Sequence, residues 1–167
     1  MDAVECIMTR RSIRKYTGDI VNEDMINTIL KAAGNAPSGG NQQPWHFVVI
    51  KERALMKEAA GRQTFGANAA FLIAVCHDRA AKPKYEKLVL DDCSAAMQNI
   101  MLAAHALGLG ACWIGVHHLD GYHTQLVKTI NAPDSVWITG MAAIGWPAEE
   151  KEAVVRLKPE MVHVDKW

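Results

Sequence analysis

Four cations and a hydroxyl lie within seven consecutive residues near the start of the chain, in the sequence RRSIRKY at residues 10–16. The guanidinium group of arginine is a planar fork of donors that matches the oxygens of a phosphate two at a time. Alternate side chains of an extended segment project to the same side, so Arg10, Ser12 and Arg14 are expected to converge. The segment therefore predicts a phosphate-binding site. Taken alone, such a run could also be a solvated basic turn.

A second group of candidate ligand-binding residues forms the sequence APSGGNQQPW at residues 36–45. Two adjacent glycines let the backbone approach a flat ligand closely, and the two prolines limit its freedom. The amide side chains of Asn41, Gln42 and Gln43 can both donate and accept hydrogen bonds. The composition indicates a shaped loop that contacts a ligand, and an ordinary surface turn is the alternative.

Three histidines, His117, His118 and His123, raise the question of a metal site. No carboxylate or cysteine accompanies them at ligand spacing, so no metal site is predicted. The preceding sequence GLGACWIG, at residues 108–115, follows a predicted helix, whereas the dinucleotide-binding GxGxxG turn follows a strand. It is interpreted as a helix end that leads into a strand.

Length and composition narrow the class of protein. With 167 residues, half of them hydrophobic, the chain is expected to form one domain over residues 1–167. Eighteen Lys and Arg balance eighteen Asp and Glu, which argues against nucleic acid or a membrane surface as partner. The apolar runs are shorter than the roughly 18 residues that a membrane helix needs. The cysteines are far apart and no secretory signal precedes them, so reduced thiols in a cytoplasm are expected for Cys6, Cys76, Cys93 and Cys112.

Hydrophobic spacing predicts alternating helices and strands. Two helices are predicted to begin after the capping residues Asp2 and Asn22. Further helices are predicted at residues 51–60, 91–107 and 122–130, and strands at residues 46–50, 71–76 and 136–144. The helix at residues 91–107 is apolar nearly all round and is expected to be central. The alternation alone favours a doubly wound parallel sheet.

The order of four motifs resembles the FMN-dependent nitroreductase family. RRSIRKY follows the first predicted helix, APSGGNQQPWHF the second and GLGACWIG the long helix, and IGWP precedes an arginine. The similarity covers nearly the whole chain. It implies the family's α+β sandwich, in which a central, mostly antiparallel sheet is surrounded by helices. It also implies an intertwined homodimer, formed through long central helices and exchanged terminal segments.

The resemblance implies a role in FMN binding for each motif. The N-terminal arginines, the serine between them and a C-terminal arginine match the residues that hold the phosphate and ribityl chain. The glycine-rich loop matches the one that reaches the isoalloxazine ring of FMN bound mainly by the other subunit, so each site is shared. The end of GLGACWIG matches the segment beside the reactive edge of the flavin. The residues assigned in this way are Arg10, Arg11, Ser12, Arg14, Pro37, Ser38, Gly39, Asn41, Ile114, Gly115 and Arg156.

The implied activity is hydride transfer from NADH or NADPH through FMN to a nitroaromatic, a quinone or a similar small planar acceptor. Ping-pong kinetics are expected because one flavin face holds one ring at a time, and no catalytic side chain is implied because the chemistry belongs to FMN. In larger family members insertions build a lid over the flavin, whereas residues 62–68 and 78–87 are short here, which leaves the acceptor open.

Other functions remain as alternatives from the sequence. One is a flavin-binding storage or sensor protein, which would share every motif described above. Another is a specialised branch of the superfamily that destroys flavin, removes halogen or dehydrogenates a small ring. A nucleic-acid-binding module built on residues 10–16 is disfavoured by the balanced charge and by the lack of interleaved aromatic residues.

Overall fold

The computed structural model describes residues 1–117 and 119–167. Within these ranges a four-stranded sheet has the order β1-β2-β4-β3, and every neighbouring pair of strands is antiparallel. The strands are β1 Trp45–Ile50, β2 Phe71–Asp78, β3 Gly110–Gly115 and β4 Val136–Gly145. The helices are α1 Ala3–Thr9, α2 Glu23–Gly34, α3 Arg53–Ala60, α4 Thr64–Ala67, α5 Val89–Ala106 and α6 Asp120–Thr129. Short 3₁₀ helices cover Gly39–Asn41, Arg79–Ala81, Glu86–Leu88 and Pro159–Met161.

The antiparallel sheet confirms the predicted α+β class. The parallel sheet that the alternation of elements favoured is wrong. Alternation shows that helices separate the strands. It does not determine whether the strand after a helix runs parallel or antiparallel to the strand before it.

Strand β2 shows why the core has two layers. Its six residues from Phe71 to Cys76 are all buried, and they alternate between the two faces of the sheet. Phe71, Ile73 and Val75 pack with α2 and α5, whereas Leu72, Ala74 and Cys76 pack with α3 and α6. The sheet is therefore covered by helices on both faces, as the continuous apolar run predicted.

The two N-terminal helices begin at the predicted caps. Asp2 Oδ1 accepts hydrogen bonds from Val4 N and Glu5 N, and Asn22 Oδ1 accepts one from Met25 N. In α2 the apolar stripe is buried, but α1 buries only Cys6 among its residues. Three apolar side chains of α1 remain more than half exposed, namely Val4, Ile7 and Met8.

Helix α5 is the central helix of one face, as predicted. Two polar residues that interrupt its apolar surface are paired: Asn99 Nδ2 donates to Ala32 O at 2.9 Å, and His105 Nε2 lies 2.8 Å from Thr9 Oγ1. Gln98 is exposed. No helix in the described ranges is both long enough and apolar enough to cross a membrane.

Candidate functional site

The basic segment at residues 10–16 lies beside the edge strand β3. Ser12 forms an isolated parallel bridge with Ala111, and Ile13 N donates to Ala111 O at 3.0 Å. Gly110 makes this approach possible, because a β-carbon at Gly110 would come within 2.6 Å of the Ile13 side chain. Farther along, Tyr16 forms an antiparallel bridge with Pro147. The segment is thus held between β3 and the chain that follows β4.

A carboxylate and an ammonium group from residues after β4 hold the backbone of this segment. Glu149 Oε1 accepts hydrogen bonds from Arg14 N at 2.6 Å and Lys15 N at 3.2 Å. Lys151 Nζ donates to Ser12 O at 2.7 Å and forms an ion pair with Glu149 at 3.1 Å. The bond from Arg14 N, with smaller contributions from Lys151 and Lys15, lowers the pKa of Glu149 below its ordinary value.

Two distant parts of the chain supply cations to one cavity. The cavity has a volume of about 400 Å³, and its lining includes Arg10, Arg11 and Arg156 but no acidic side chain. Arg11 donates to the carbonyl oxygen of Glu152. The side chains of Arg10 and Arg156 form no hydrogen bond or ion pair with the described residues. Both guanidinium groups therefore remain available to an anion.

Arg14 points to a different cavity. Its guanidinium carbon lies 5.7 Å from the centre of the Phe65 ring, and the side chain lines a cavity of about 550 Å³ together with Arg53 and Asn68. The structure thus separates Arg14 from the cavity of Arg10 and Arg156. Ser12 lies between the two arginines in the chain.

The Cys112 thiol, on β3, has a pKa that responds to Ser12 and to several cations. Burial raises the pKa of this thiol, while Arg14, Lys151, a hydrogen bond with Ser12 and Arg10 act in the opposite direction. The thiol is therefore within electrostatic reach of cations that line different cavities. Cys112 is a free, buried cysteine, as are the other three.

The loop at residues 37–43 has an unusual backbone. Gly40, Asn41 and Gln43 all have positive φ angles, of 59°, 56° and 50°. Glycine tolerates this conformation and asparagine visits it, whereas it is uncommon for glutamine. Ser38 Oγ accepts a hydrogen bond from Gln43 N at 3.0 Å, which closes the turn. The predicted shaped loop is therefore a compact left-handed turn.

This loop packs against the start of α5 and the residues before it. A buried carboxylate anchors it, since Asp92 Oδ1 accepts a hydrogen bond from Gly39 N at 2.8 Å. Asp92 is 5% exposed, and its second oxygen has no partner among the described residues. Gln42 Oε1 accepts from Tyr85 N at 2.7 Å, while Gln42 Nε2 is buried without a partner. The loop thus leaves one buried acceptor and one buried donor unpaired.

The end of β3 forms a third part of the candidate site. Ile114 is buried, whereas Gly115 is exposed and a β-carbon built on it would meet no atom within 4 Å. Gly115 opens onto a cavity of about 470 Å³. Its other lining residues are Gly61, Arg62, Gln63, Leu119, Gly121, Tyr122 and Gln125.

The predicted site residues therefore fall into separate groups in one chain. The described residues that line the cavity at Gly115 include none of Arg10, Arg11, Arg14 and Arg156 and none of residues 37–41. Arg10, Arg11 and Arg156 line one cavity. The loop at residues 37–41 packs instead against the start of α5, through the bond from Gly39 N to Asp92.

The histidines are used in the fold. His123 is buried and its Nε2 accepts a hydrogen bond from Ile138 N at 3.1 Å, and His117 Nδ1 lies 3.2 Å from Thr139 O. Among the residues that the structure describes, no three His, Cys, Asp or Glu side chains are grouped to hold a metal ion. His118, the third histidine of the metal question, lies outside the described residues.

Several residues of the site did not stand out in the sequence. Glu149 and Lys151 lie in a short run of mixed charges that resembles a solvated turn, and only the fold brings them to Ser12 and Arg14. Asp92 stands beside Asp91 in the first turn of a helix, where acidic residues are common for reasons unrelated to a site. Its burial is visible only in the structure.

Comparisons with known proteins place these features in a family. The chain matches the profile of the Nitroreductase family over residues 7–62 and 51–146. A protein of Archaeoglobus fulgidus, provisionally named an NADH dehydrogenase/NAD(P)H nitroreductase, is 39% identical, and the alignment covers 99% of both chains.

Solved structures agree with this assignment. An FMN-dependent nitroreductase from Clostridium difficile superimposes with a TM-score of 0.88 and 30% identity, over 98% of this chain and 99% of the other. A protein of Desulfovibrio desulfuricans, provisionally named a nitroreductase and solved in complex with FMN, has a TM-score of 0.86 and 32% identity, over 100% and 99% of the two chains.

Proposed function

This chain belongs to the nitroreductase family, and we propose that it is an FMN-dependent oxidoreductase that carries hydride from NADH or NADPH to small planar acceptors such as nitroaromatic compounds and quinones. The observation that carries the proposal is the cavity lined by both Arg10 and Arg156, whose side chains form no hydrogen bond or ion pair with the described residues. A flavin phosphate is a ligand of matching charge. A cytoplasmic location belongs to the proposal, because all four cysteines are free thiols.

The donor set of the described residues fits FMN. A phosphate carries close to two negative charges at neutral pH, and guanidinium groups bind its oxygens through directed, charge-assisted hydrogen bonds. Arg10 and Arg156 have no hydrogen-bond acceptor among the described residues, and Arg11 contributes charge at the same cavity. Lys151 fixes the carbonyl of Ser12, so the backbone between the arginines is held before a ligand binds.

FMN supplies the redox chemistry, because its ring takes up and releases a hydride. The chain supplies binding and access. Gly115 has open space where any other residue would carry a β-carbon, so a flat ring can approach the main chain there. Main-chain N–H groups at such a point are fixed dipoles that stabilise negative charge. Buried Ile114 fixes the strand that presents them.

Two features support a homodimer with shared sites. Apolar side chains of α1 and of the tail remain exposed, with Trp167 fully so and Val155 and Val164 each 79% exposed. Such a surface is typical of a chain that packs against another copy. In addition, residues 37–41 are not among the described residues that line the cavity of Arg10, Arg11 and Arg156 in their own chain. Assembly of two chains brings the loop of one subunit to the cofactor held by the other.

The expected kinetic mechanism is ping-pong. One face of the flavin stacks with one ring at a time, so the nicotinamide donor and the acceptor take turns. Stacking and apolar contacts discriminate weakly among planar molecules, which favours a broad set of acceptors.

Steady-state kinetics with purified holoprotein tests the proposal. A nitroaromatic or quinone acceptor is varied against NADH and against NADPH, and parallel double-reciprocal lines are expected. Intersecting lines would show that both substrates are bound together. That result would contradict the proposal that one flavin face holds one ring at a time. If neither nicotinamide reduced the bound flavin, the oxidoreductase assignment would fail and a storage or sensor protein would replace it.

A further inference from the structure

The cavity beside Gly115 carries a single formal charge on its described lining. Arg62 is the charged residue, and the other described lining residues are glycines, glutamines, a leucine and a tyrosine. The Arg62 guanidinium forms no hydrogen bond, ion pair or ring contact with the described residues. A cation without a counter-ion at the wall of a ligand cavity favours anionic ligands over neutral ones.

The position of Arg62 is set by a constrained turn. Arg62 directly follows Gly61, which ends α3 with a φ of 54°. A β-carbon at Gly61 would lie 3.0 Å from the Tyr122 ring. Tyr122 is itself fixed, because its hydroxyl donates to Ala59 O at 2.5 Å. Glycine at this point therefore lets the chain leave α3 close to α6, and the turn delivers Arg62 to the cavity.

Two amide side chains give the same wall further polar character. Gln63 and Gln125 both line the cavity, one after α3 and one on α6, and amides hydrogen-bond either to a carboxylate or to a nitro group. The Tyr122 hydroxyl is engaged with Ala59, so Tyr122 offers the cavity its ring. The wall therefore combines an aromatic surface with one cation and two amides.

We propose that Arg62 is a specificity-determining residue that selects planar acceptors carrying a carboxylate or sulfonate group. This inference rests on the proposed function, because it takes the cavity at Gly115 as the place where the acceptor meets the flavin. The guanidinium binds the anionic substituent at the wall, while the electron-poor ring lies toward Gly115. The geometry gives no such advantage to a neutral acceptor of the same size.

Two acceptors that differ mainly in charge provide the test. The holoenzyme is assayed with 4-nitrobenzoate and with 4-nitrobenzamide, using wild type, Arg62→Gln and Arg62→Lys. Arg62→Gln is expected to lower kcat/KM for 4-nitrobenzoate about tenfold, the loss typical of one charge-assisted hydrogen bond, and to leave 4-nitrobenzamide unchanged. Arg62→Lys should restore part of the loss, because lysine keeps the charge. Lys57→Gln is the matched control, since Lys57 is an exposed cation on α3 that does not line the cavity.

Equilibrium binding separates this inference from the proposed function. Oxidised holoprotein is titrated with each nitro compound, and the change in flavin absorbance gives Kd without turnover. A Kd for 4-nitrobenzoate that rises about tenfold in Arg62→Gln, and not in Lys57→Gln, supports the inference. Equal Kd values for wild type and Arg62→Gln would overturn it, even if both compounds were still reduced. Absence of NADH or NADPH oxidation with either compound would instead count against the proposed function, and the binding titration would still decide the role of Arg62.

Discussion

Asp92 Oδ1 accepts a hydrogen bond from Gly39 N at 2.8 Å across 53 positions of sequence. The carboxylate is almost completely buried, and the amide belongs to the left-handed turn proposed to reach the flavin. A buried N–H without a partner costs about 1 to 3 kcal/mol, so this hydrogen bond holds the loop in its position against α5.

Asp92→Ala is expected to lower the free energy of unfolding by about 1 to 3 kcal/mol, because Gly39 N loses its acceptor. FMN affinity should fall as well if the loop contacts the cofactor. Asp92→Asn keeps an acceptor oxygen and should restore most of both quantities. Urea unfolding of the apoprotein and FMN titration measure the two effects. Asp91→Ala is the control, because Asp91 is an exposed acid in the same helical turn. Equal effects of the Asp91 and Asp92 substitutions would assign the change to the helix dipole instead.

Arg10→Ala and Arg156→Ala are each expected to weaken FMN binding, because each removes a charge-assisted bond worth roughly 1.5 to 3 kcal/mol. Neither side chain has a partner among the described residues, so apoprotein stability should change little. Quenching of FMN fluorescence gives the affinity, and Lys57→Ala controls for the loss of one positive charge. Wild-type affinity in both arginine variants would show that the phosphate lies elsewhere.

Gly115→Ala is expected to leave apoprotein stability unchanged and to impair flavin binding or turnover. The new β-carbon meets no protein atom within 4 Å, so any effect comes from the ligand. Gly34→Ala is a matched control at another open position. Gly110→Ala should behave in the opposite way and destabilise the fold, since its β-carbon would lie 2.6 Å from Ile13. Thermal unfolding and FMN titration distinguish the three variants. Normal flavin binding and turnover in Gly115→Ala would show that the reactive edge of the flavin does not lie beside Gly115.

Glu149 is expected to make the free energy of unfolding fall at low pH. Its folded-state pKa is lowered by the backbone bonds of Arg14 and Lys15 and by Lys151, so its contribution is complete above the unfolded pKa of about 4.3 and is lost as the pH falls through the folded pKa. Glu149→Gln should therefore be less stable than wild type at about pH 7, with a smaller difference at about pH 3. Urea midpoints at both pH values test this, with exposed Glu150→Gln as control. A difference that is the same at both pH values would exclude the ionised carboxylate as its cause.

Removal of residues 160–167 is expected to weaken a homodimer and to release flavin. The deleted segment includes exposed Met161, Val162, Val164 and Trp167, which have no surface to cover them within the described chain. Sedimentation of the full chain should give a dimer whose flavin content falls on dilution, and the shortened chain should dissociate at higher concentration. A full-length monomer that retains stoichiometric FMN would contradict the shared site.

Local features of the fold were predictable from the sequence, whereas the directions of the strands were not. The caps Asp2 and Asn22 accept hydrogen bonds from residues at most three positions away, so the sequence nearby is enough to predict them. The continuous apolar run in β2 likewise indicates that both faces of the sheet are covered. Helix α4 was not predicted because its four residues are too few to show a period. The antiparallel order came from family resemblance, since strand direction depends on contacts between distant segments.

The candidate site was predictable in its residue types more than in its arrangement. The prediction that alternate arginines converge assumed a continuous extended segment, but the structure pairs this segment with β3 only at Ser12. The side chains of Arg10 and Arg14 then line different cavities. The positive φ angles of Asn41 and Gln43 arise from the packing of the whole loop, so they could not be predicted from the residue type at either position.

The bonds from Glu149 and Lys151 to the basic segment also bear on the order of events during synthesis. They join residues 134 to 139 positions apart, and one of them fixes the carbonyl of Ser12, next to Arg11. While the chain emerges from the ribosome, the N-terminal segment exists long before the residues that hold it. The cavity of Arg10, Arg11 and Arg156 is therefore complete only after residue 156 has been made. Under the proposed function, FMN cannot bind to its full set of cations before that point of synthesis.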